Sequence, residues 1–513
     1  MSLVLALVVL AAQVDPGTPI VAVCIERHDV FDVEDPATSA WPYRTANALH
    51  MLSREAFIRS LLLFREGDTL DPARLAESER LLRATGFLSP VNITARPVEG
   101  GAEVVVETRD QWTTELSLNY GQLGARQKTG LSLSEQDFLG WGKKVDLVWR
   151  SDEERNSVSV AYFDPLLLGS RWRLTAMYRD TSDGAAEEFR VVYPFFALDT
   201  AFAGGIEWQR ERLKDYLWSG GEKIIHGDSD RLTFRLWGGM RLPGGRAHTD
   251  RITAGVFAEH ARFSHWYWQN GDPYLPPNDR ELVGLEIGWE REQDRWVVLG
   301  GFRGWQRQED LPLGPNWKAR VGLAVPGLGA DRRAALFNAE LTAGALRGRQ
   351  YTWLLAGVSG RAEHREVANL VAHIETGTAR TGASGWRARF AVDLGGHLDR
   401  DRQLTLGADT GLRGWQPDTF DGSSRAVANL EWRRRLTGEV LHLGIIGMTL
   451  FADGGRTWRA RVGQGTRRVH GDIGAGLAIE ITRAAILRIV RVEVALPDDG
   501  GGPLVLLTGA SLF

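Results

Sequence analysis

The sequence predicts a membrane β-barrel preceded by one small α/β domain. Three observations predict it. From Trp112 onward the apolar residues recur with a period of two, segment after segment. The only long apolar run, Leu3 to Ala12, is too short to cross a bilayer as a helix. The stretch before Trp112 carries helix punctuation between strand-like runs. A chain that crosses lipid without a helix must close its strands on themselves, because lipid offers no partners to free backbone edges.

The totals agree with this class. The chain has 513 residues, 43% hydrophobic and 25% charged, enough for a large barrel. A net charge of -4 gives no reason to expect nucleic acid. Glycine (59) and tryptophan (19) are both abundant, which suits a barrel with aromatic girdles. A soluble all-β protein would show the same enrichment. The one cysteine, Cys24, excludes an internal disulfide and a cysteine-based zinc site. It alternates with apolar neighbours, as a small strand residue does. Val21-Ala22-Val23 before it makes a poor lipoprotein cleavage box.

Residues 1–13 read as a signal peptide whose apolar centre is Leu3 to Ala12, although no Lys or Arg precedes it. Residues 18–109 read as the α/β domain. Ile20 to Ile25 is a strand. Ser53 is placed to cap a helix carrying Phe57, Ile58, Leu61 and Leu62 on one side. A second helix has Asp71 as N-cap, Pro72 at its first position and Gly86 past its end, with Arg80 and Arg83 in the last turns. Val91 to Ala95 and Glu103 to Thr108 are strands around a Gly100-Gly101 turn. The predicted order is strand, helix, helix, strand, strand.

Residues 110–513 alternate. Trp112, Thr114, Leu116, Leu118 and Tyr120 share one face. Val145, Leu147 and Trp149 oppose Asp146 and Arg150. Trp172, Leu174, Ala176 and Tyr178 oppose Arg171, Arg173, Thr175 and Arg179. Val427, Asn429, Glu431 and Arg433 oppose Ala428, Leu430 and Trp432. Ile446, Met448 and Leu450 would face lipid, with Gly447, Thr449, Phe451 and Asp453 inward. A soluble sandwich alternates too, so periodicity leaves the two open. The polar stretches Ser219 to Ser229 and Asn270 to Asp279 read as extracellular loops. The strand-like runs number about twenty.

Two motifs are more specific. Gly411-Leu412-Arg413-Gly414-Trp415 follows a short alternating run, Gln403 to Asp409. Phe451-Ala452-Asp453-Gly454-Gly455 ends another run some forty residues on. Together they resemble the paired motifs of the BamA/TamA family of outer-membrane β-barrels, also described as bacterial surface antigens. Leu412 stands where that family has valine, and Trp415 where it has Phe or Tyr. Leu63-Phe64-Arg65-Glu66-Gly67-Asp68 and Thr85-Gly86-Phe87 resemble a POTRA domain, the periplasmic module of this family. Asp137-Phe138-Leu139-Gly140-Trp141-Gly142 and Tyr162-Phe163-Asp164-Pro165 resemble its early-barrel signatures. Terminal Phe513 partly resembles the signal that such barrels present to the assembly machinery.

The resemblance implies a barrel of about sixteen strands, with a larger even number still open. It implies a loop folded into the lumen and latched by Arg413 on Asp453, with Glu431 close by. Gly414 and Gly455 would let the backbones approach. It also implies insertion of outer-membrane proteins or translocation of a partner. The POTRA domain would receive unfolded substrate by adding its strand to a sheet edge. The barrel would open at the seam between its first and last strands. Outer-membrane lipid and accessory periplasmic or lipoprotein subunits are the other partners. A passive channel and a partner-specific secretion pore are the alternatives. The residues suggest no enzyme: His-Glu-x-x-His, Gly-x-Ser-x-Gly and phosphate-loop motifs are missing, and the 11 histidines are scattered. No cofactor, nucleotide or metal is implied.

Overall fold

A computed structural model describes residues 14–123, 126–245, 247–364, 366–463, 468–485 and 489–509. The expected signal segment and Phe513 lie outside the described residues. Two compact units emerge. The first takes in Met1–Thr114, Glu135–Lys143 and Arg483–Ile486; the second takes in Glu115–Ser134, Lys144–Thr482 and Leu487–Phe513.

The first unit runs β1 (Ile20–His28), α1 (Trp41–Leu49), α2 (Glu55–Leu61), α3 (Pro72–Ala84), β2 (Leu88–Val98) and β3 (Gly101–Asp110). Its sheet has the order β1-β3-β2, with β1 parallel and β2 antiparallel to β3. Phe57, Ile58, Leu82, Phe87, Val104 and Val106 are buried together with Ile20. The punctuation of α3 is as the residues predict. Asp71 Oδ1 accepts the Ala73 N–H at 3.0 Å, and Gly86 leaves the helix at φ +89°. Phe87 then turns inward and stacks on Phe57 at 6.0 Å. Gly67, at φ +90°, donates its N–H to the Ile20 carbonyl at 2.8 Å. The Asp68 carbonyl accepts from Ile20 N at 2.8 Å, so this turn is sewn to β1.

Two expectations for this unit need correction. Helix α1 was not predicted; it buries no residue, and Trp41 is 77% exposed. Ser53 does not cap α2, whose N-cap is Arg54. Its N–H instead donates to Asp110 Oδ2 at 2.7 Å. Its hydroxyl lies 2.8 Å from Asp110 Oδ2 and 2.8 Å from Asp137 Oδ2. Buried carboxylates need donors more than a helix end near water does. A hydroxyl has one hydrogen to give. The two carboxyl groups therefore compete for that one hydrogen. Burial pushes Asp110 up to about 6.

The second unit is built of strands, three of which have ends that fall in the first unit: Thr114, residues 135–138 and Lys143. In chain order its strands are β4 (Thr114–Leu123), β5 (Arg126–Phe138), β6 (Lys143–Ser151), β7 (Asn156–Asp164), β8 (Arg173–Thr181), β9 (Gly184–Tyr193), β10 (Phe202–Ser219), β11 (Glu222–Arg241), β12 (His248–Trp268) and β13 (Arg280–Gln293). They continue as β14 (Trp296–Gly300), β15 (Gln308–Pro312), β16 (Asn316–Ala324), β17 (Ala334–Arg347), β18 (Gln350–Glu363), β19 (Glu366–Arg380) and β20 (Ser384–Gly396). The last are β21 (Ser424–Arg435), β22 (Gly444–Trp458), β23 (His470–Ile481), β24 (Ile489–Pro497) and β25 (Leu504–Thr508). Apart from β14 and β15, which pair with each other, these form one sheet of twenty strands. It closes where β25 meets β4 at Leu506↔Leu123.

Twenty strands match the count of alternating runs and exceed the sixteen of the resemblance. The stretch Ser219 to Ser229, expected as a loop, is mostly strand. Gly220 and Gly221 alone make the turn, at φ +65° and +82°. Strands β10, β11 and β12 have 18, 20 and 21 residues. A span needs only about 9–11. Leu217, Ile225, Ala261, Phe263 and Trp266 bury one another at the end of these long hairpins.

Alternation places the polar side chains inside. On β21 Asn429, Glu431 and Arg433 are buried while Leu430 is exposed. On β22 Asp453 is buried and Leu450 exposed; on β24 Arg491 and Glu493 are buried, with Val492 and Val494 exposed. This is the inverse of a soluble sheet. Because each strand reverses the one before, the sheet has a near end, where β4 begins, and a far end. The β20–β21 connection arises at the far end and the β13–β16 connection at the near end.

Candidate functional site: a latch inside the barrel

The far-end connection, residues 397–423, folds back against the inner wall. Its predicted alternating run, Gln403 to Asp409, does not join the sheet; only Leu406 and Phe420 form a bridge, within the loop itself. Glycines within and beside the run make tight local bonds there instead: Leu412 N–H donates to the Gly407 carbonyl at 2.9 Å, and Gly411 stands at φ +115°. Leu406, Leu412 and Phe420 bury themselves against Ala391 and Val427 of the wall, beside Trp415. The foot of the loop is tied as well. Arg361 holds Asp399 with two bonds of 2.9 and 3.0 Å. Asp421 Oδ2 accepts three successive N–H groups, Arg461, Val462 and Gly463, at 2.7, 2.7 and 3.0 Å.

This folding delivers Arg413, 0% exposed, to the wall. Its Nε donates to Asp453 Oδ2 at 2.7 Å and its Nη2 to Asp453 Oδ1 at 2.9 Å, the bidentate fork that suits guanidinium and carboxylate. Nη1 donates to Glu431 Oε2 at 3.1 Å and lies 3.6 Å from Glu493 Oε1. The guanidinium sits 3.5 Å from the ring centroid of Phe451. Asn429 Nδ2 bridges loop and wall, donating to the Gly411 carbonyl at 2.7 Å and to Asp453 Oδ1 at 2.8 Å. Trp415 donates its indole N–H to the Gly471 carbonyl at 3.2 Å and packs against Phe420 and His470. Two glycines allow the approach. A Cβ on Gly414 would lie 2.5 Å from Asp472 Cβ, and one on Gly455 would lie 2.8 Å from Leu406 Cδ2.

The structure thus brings together Leu412, Arg413, Gly414, Trp415, Glu431, Phe451, Asp453 and Gly455. Arg491 and Glu493 on β24 belong to the same network and were not singled out in the sequence. Arg491 Nη1 donates to Glu431 Oε2 at 2.9 Å, and Thr449 Oγ1 to Glu493 Oε1 at 3.1 Å. Their signal was the alternation itself, which sets both on the polar face of an apolar run. Two guanidinium groups meet three carboxylates in a space closed to water. Such a network adds little net stability over an apolar core, yet removing one member strands a buried charge. Among the described residues no metal-binding cluster is present.

No protein-family model and no curated protein matches the sequence. Solved structures do. BamA from Haemophilus ducreyi lacking POTRA domains 1–3 is similar over 96% of this chain and 87% of its own, at 12% identity and a TM-score of 0.39. CdiB from Escherichia coli is similar over 95% and 75%, at 13% identity and a TM-score of 0.46. CdiB from Acinetobacter baumannii is similar over 96% and 73%, at 10% identity and a TM-score of 0.42.

Proposed function

We propose that this chain is a BamA/TamA-like outer-membrane protein that inserts outer-membrane proteins or translocates a protein partner. Residues 18–109 serve as a periplasmic POTRA domain that receives unfolded substrate. Residues 110–513 are the barrel, with its near end toward the periplasm. The observation that carries the reading is the buried fork between Arg413 and Asp453. It holds a far-end loop inside the lumen, where a passive channel needs open space. The inverted burial, with charges inside and aliphatic side chains outside, supports a lipid-facing wall. The meeting of β25 with β4 at Leu506↔Leu123 supports opening at the seam.

The test compares the outer-membrane proteome of cells with and without the protein. Loss of a set of barrel proteins supports insertion. Loss of one exported protein alone points to a secretion pore. An unchanged proteome, with single-channel conductance independent of any protein substrate, overturns the reading in favour of a passive channel.

A further inference from the structure

The pentapeptide Gly-apolar-Arg-Gly-Trp occurs twice in the chain, as Gly411 to Trp415 and as Gly301-Phe302-Arg303-Gly304-Trp305. The second copy lies in the β13–β16 connection, residues 294–315, at the opposite end of the barrel. There β14 and β15 form a separate hairpin outside the barrel sheet. Its base rests on β17 and β18. The Gly314 N–H donates to the Gly344 carbonyl at 3.0 Å, and the Tyr351 hydroxyl to the Pro312 carbonyl at 2.9 Å. A Cβ at Gly344 would lie 2.1 Å from that Pro312 oxygen, so only glycine lets the hairpin lie down there.

The tip reaches further round the barrel, to β20, β21, β22 and β23. Arg433 Nη2 donates to the carbonyls of Gly301 and Phe302 at 2.5 and 2.8 Å, and Nη1 to that of Arg303 at 3.0 Å. Arg387 Nη2 donates to the Phe302 carbonyl at 3.1 Å and stands 4.7 Å from the Phe302 ring. The Glu480 carboxylate accepts the N–H groups of Trp305 and Gln306. These three charged side chains are buried. Phe302 meets Tyr351 and Trp353 edge-on at 5.4 and 5.6 Å. Trp305 covers Gly447, where a Cβ would lie 2.2 Å from the ring.

The two copies dock alike in three respects. The apolar second residue is buried in each. The fourth-position glycine abuts an acidic residue of the same strand, β23: Gly414 against Asp472 and Gly304 against Glu480. The tryptophan lies against a strand glycine, Gly471 or Gly447. They differ at the arginine. Arg413 is locked into the wall, whereas Arg303 is 66% exposed at its side chain. At the near end the wall supplies the guanidinium groups, and they grip main-chain oxygens.

Main-chain groups are common to every peptide. A slot that reads three successive carbonyls and two successive N–H groups, with one pocket for an aromatic ring and a glycine shelf for a second, accepts other chains of the same bend. Burying Arg387 and Arg433 is costly unless their donors are met. We propose that the slot of Arg387, Arg433 and Glu480 is a peptide-binding site, occupied at rest by the chain's own Gly301–Trp305 turn. Its ligand is a glycine-containing turn of protein substrate with aromatic residues three apart. This rests on the reading of the chain as a handler of protein substrates. The hairpin acts as a resident competitor that substrate displaces.

The test uses the full chain in detergent and a labelled peptide spanning Leu299 to Gln308. In a variant with residues 296–312 replaced by a short Gly/Ser turn, the peptide is expected to bind at least tenfold tighter than to the parent chain. Adding Arg433→Ala and Glu480→Gln to that variant is expected to abolish binding. The peptide with Arg303→Ala should still bind, while Phe302→Ala or Trp305→Ala should not. Equal binding of a scrambled peptide overturns the proposal, as does no gain over the parent. If the shortened chain does not fold, the full-length Phe302→Ala/Trp305→Ala variant replaces it. Its weakened turn should yield to added wild-type peptide, and unchanged binding overturns the proposal. An altered proteome without peptide binding would sink this inference alone; peptide binding with an unaltered proteome would sink the transport reading alone.

Discussion

Arg413 and Asp453 meet through two parallel hydrogen bonds, 2.7 and 2.9 Å, and neither side chain touches water. One comes from a loop and the other from a strand, so their bond decides where the loop lies. Arg413→Ala would leave Asp453, Glu431 and Glu493 facing one another. Breaking a buried pair in this way costs about 3–5 kcal/mol. Asp453→Asn should cost less, because Glu431 and Glu493 still hold the guanidinium. Proteolysis of residues 397–423 in intact cells measures the loosening. The double variant should be little worse than Arg413→Ala; strictly additive losses would show that the two residues do not act as a pair.

Charge alone should not rescue the latch. Arg413→Lys keeps the positive charge but loses the fork to Asp453 and the flat contact with Phe451. It should loosen the loop by about 2 kcal/mol. Gly414→Ala tests the approach instead of the charge. Its Cβ would press on Asp472, a strain of about 1–3 kcal/mol. A loop as protected as the parent's in either variant would contradict the geometry.

The first unit should respond to pH. Asp110 holds its proton up to about 6 in the folded chain, because burial disfavours the carboxylate; its ordinary value is 3.8. Burial by itself would lower His50, but its hydrogen bond to Asp29 and the charge of Asp110 outweigh this and raise it. Asp29, Asp110 and Asp137, with Glu135 beside Asp137, are the charges facing this cluster. Folded values above unfolded ones mean stability present at low pH and lost as pH rises through the folded value. For Asp110 the loss falls between about pH 4 and 6 and is on the order of 2–3 kcal/mol. Asp110→Asn should flatten that part of the profile, read by hydrogen exchange of residues 53–58. An identical slope in the variant would refute the assignment.

With Cys24→Ser as background, Leu506→Cys and Leu123→Cys stand opposite each other across β25 and β4. The pair should crosslink on oxidation, substrate handling should stop, and reductant should restore it. A fully crosslinked protein that still works at the parent rate excludes lateral opening and leaves the lumen as the route.

Much of the fold was legible because it is written locally. A strand exposes alternate side chains to opposite faces, so a two-residue period names the inward face without any partner in view. That is how Asn429, Glu431 and Arg433 could be set against Leu430. The Asp71-Pro72 start and Gly86 end of α3 are equally local. Ser53 misled because two rules competed for it. A serine ahead of an apolar run is a cap by proximity, yet Asp110 and Asp137, far along the chain, needed its hydroxyl more.

By itself, then, the sequence determined much of the order of elements, the inward face of strands such as β21 and β22 and, through the resemblance, a candidate partner for Arg413. It even printed Gly-apolar-Arg-Gly-Trp twice, without saying that the two copies approach one wall strand from opposite ends. Only the tertiary structure decided that the hairpin 294–315 lies on Arg387, Arg433 and Glu480, and that Arg491 and Glu493 complete the latch. The physical reason is that period and propensity describe a residue's own backbone. A charge inside a closed sheet takes its partner from a loop or from a strand several places along the wall, and that distance has no signature in sequence separation.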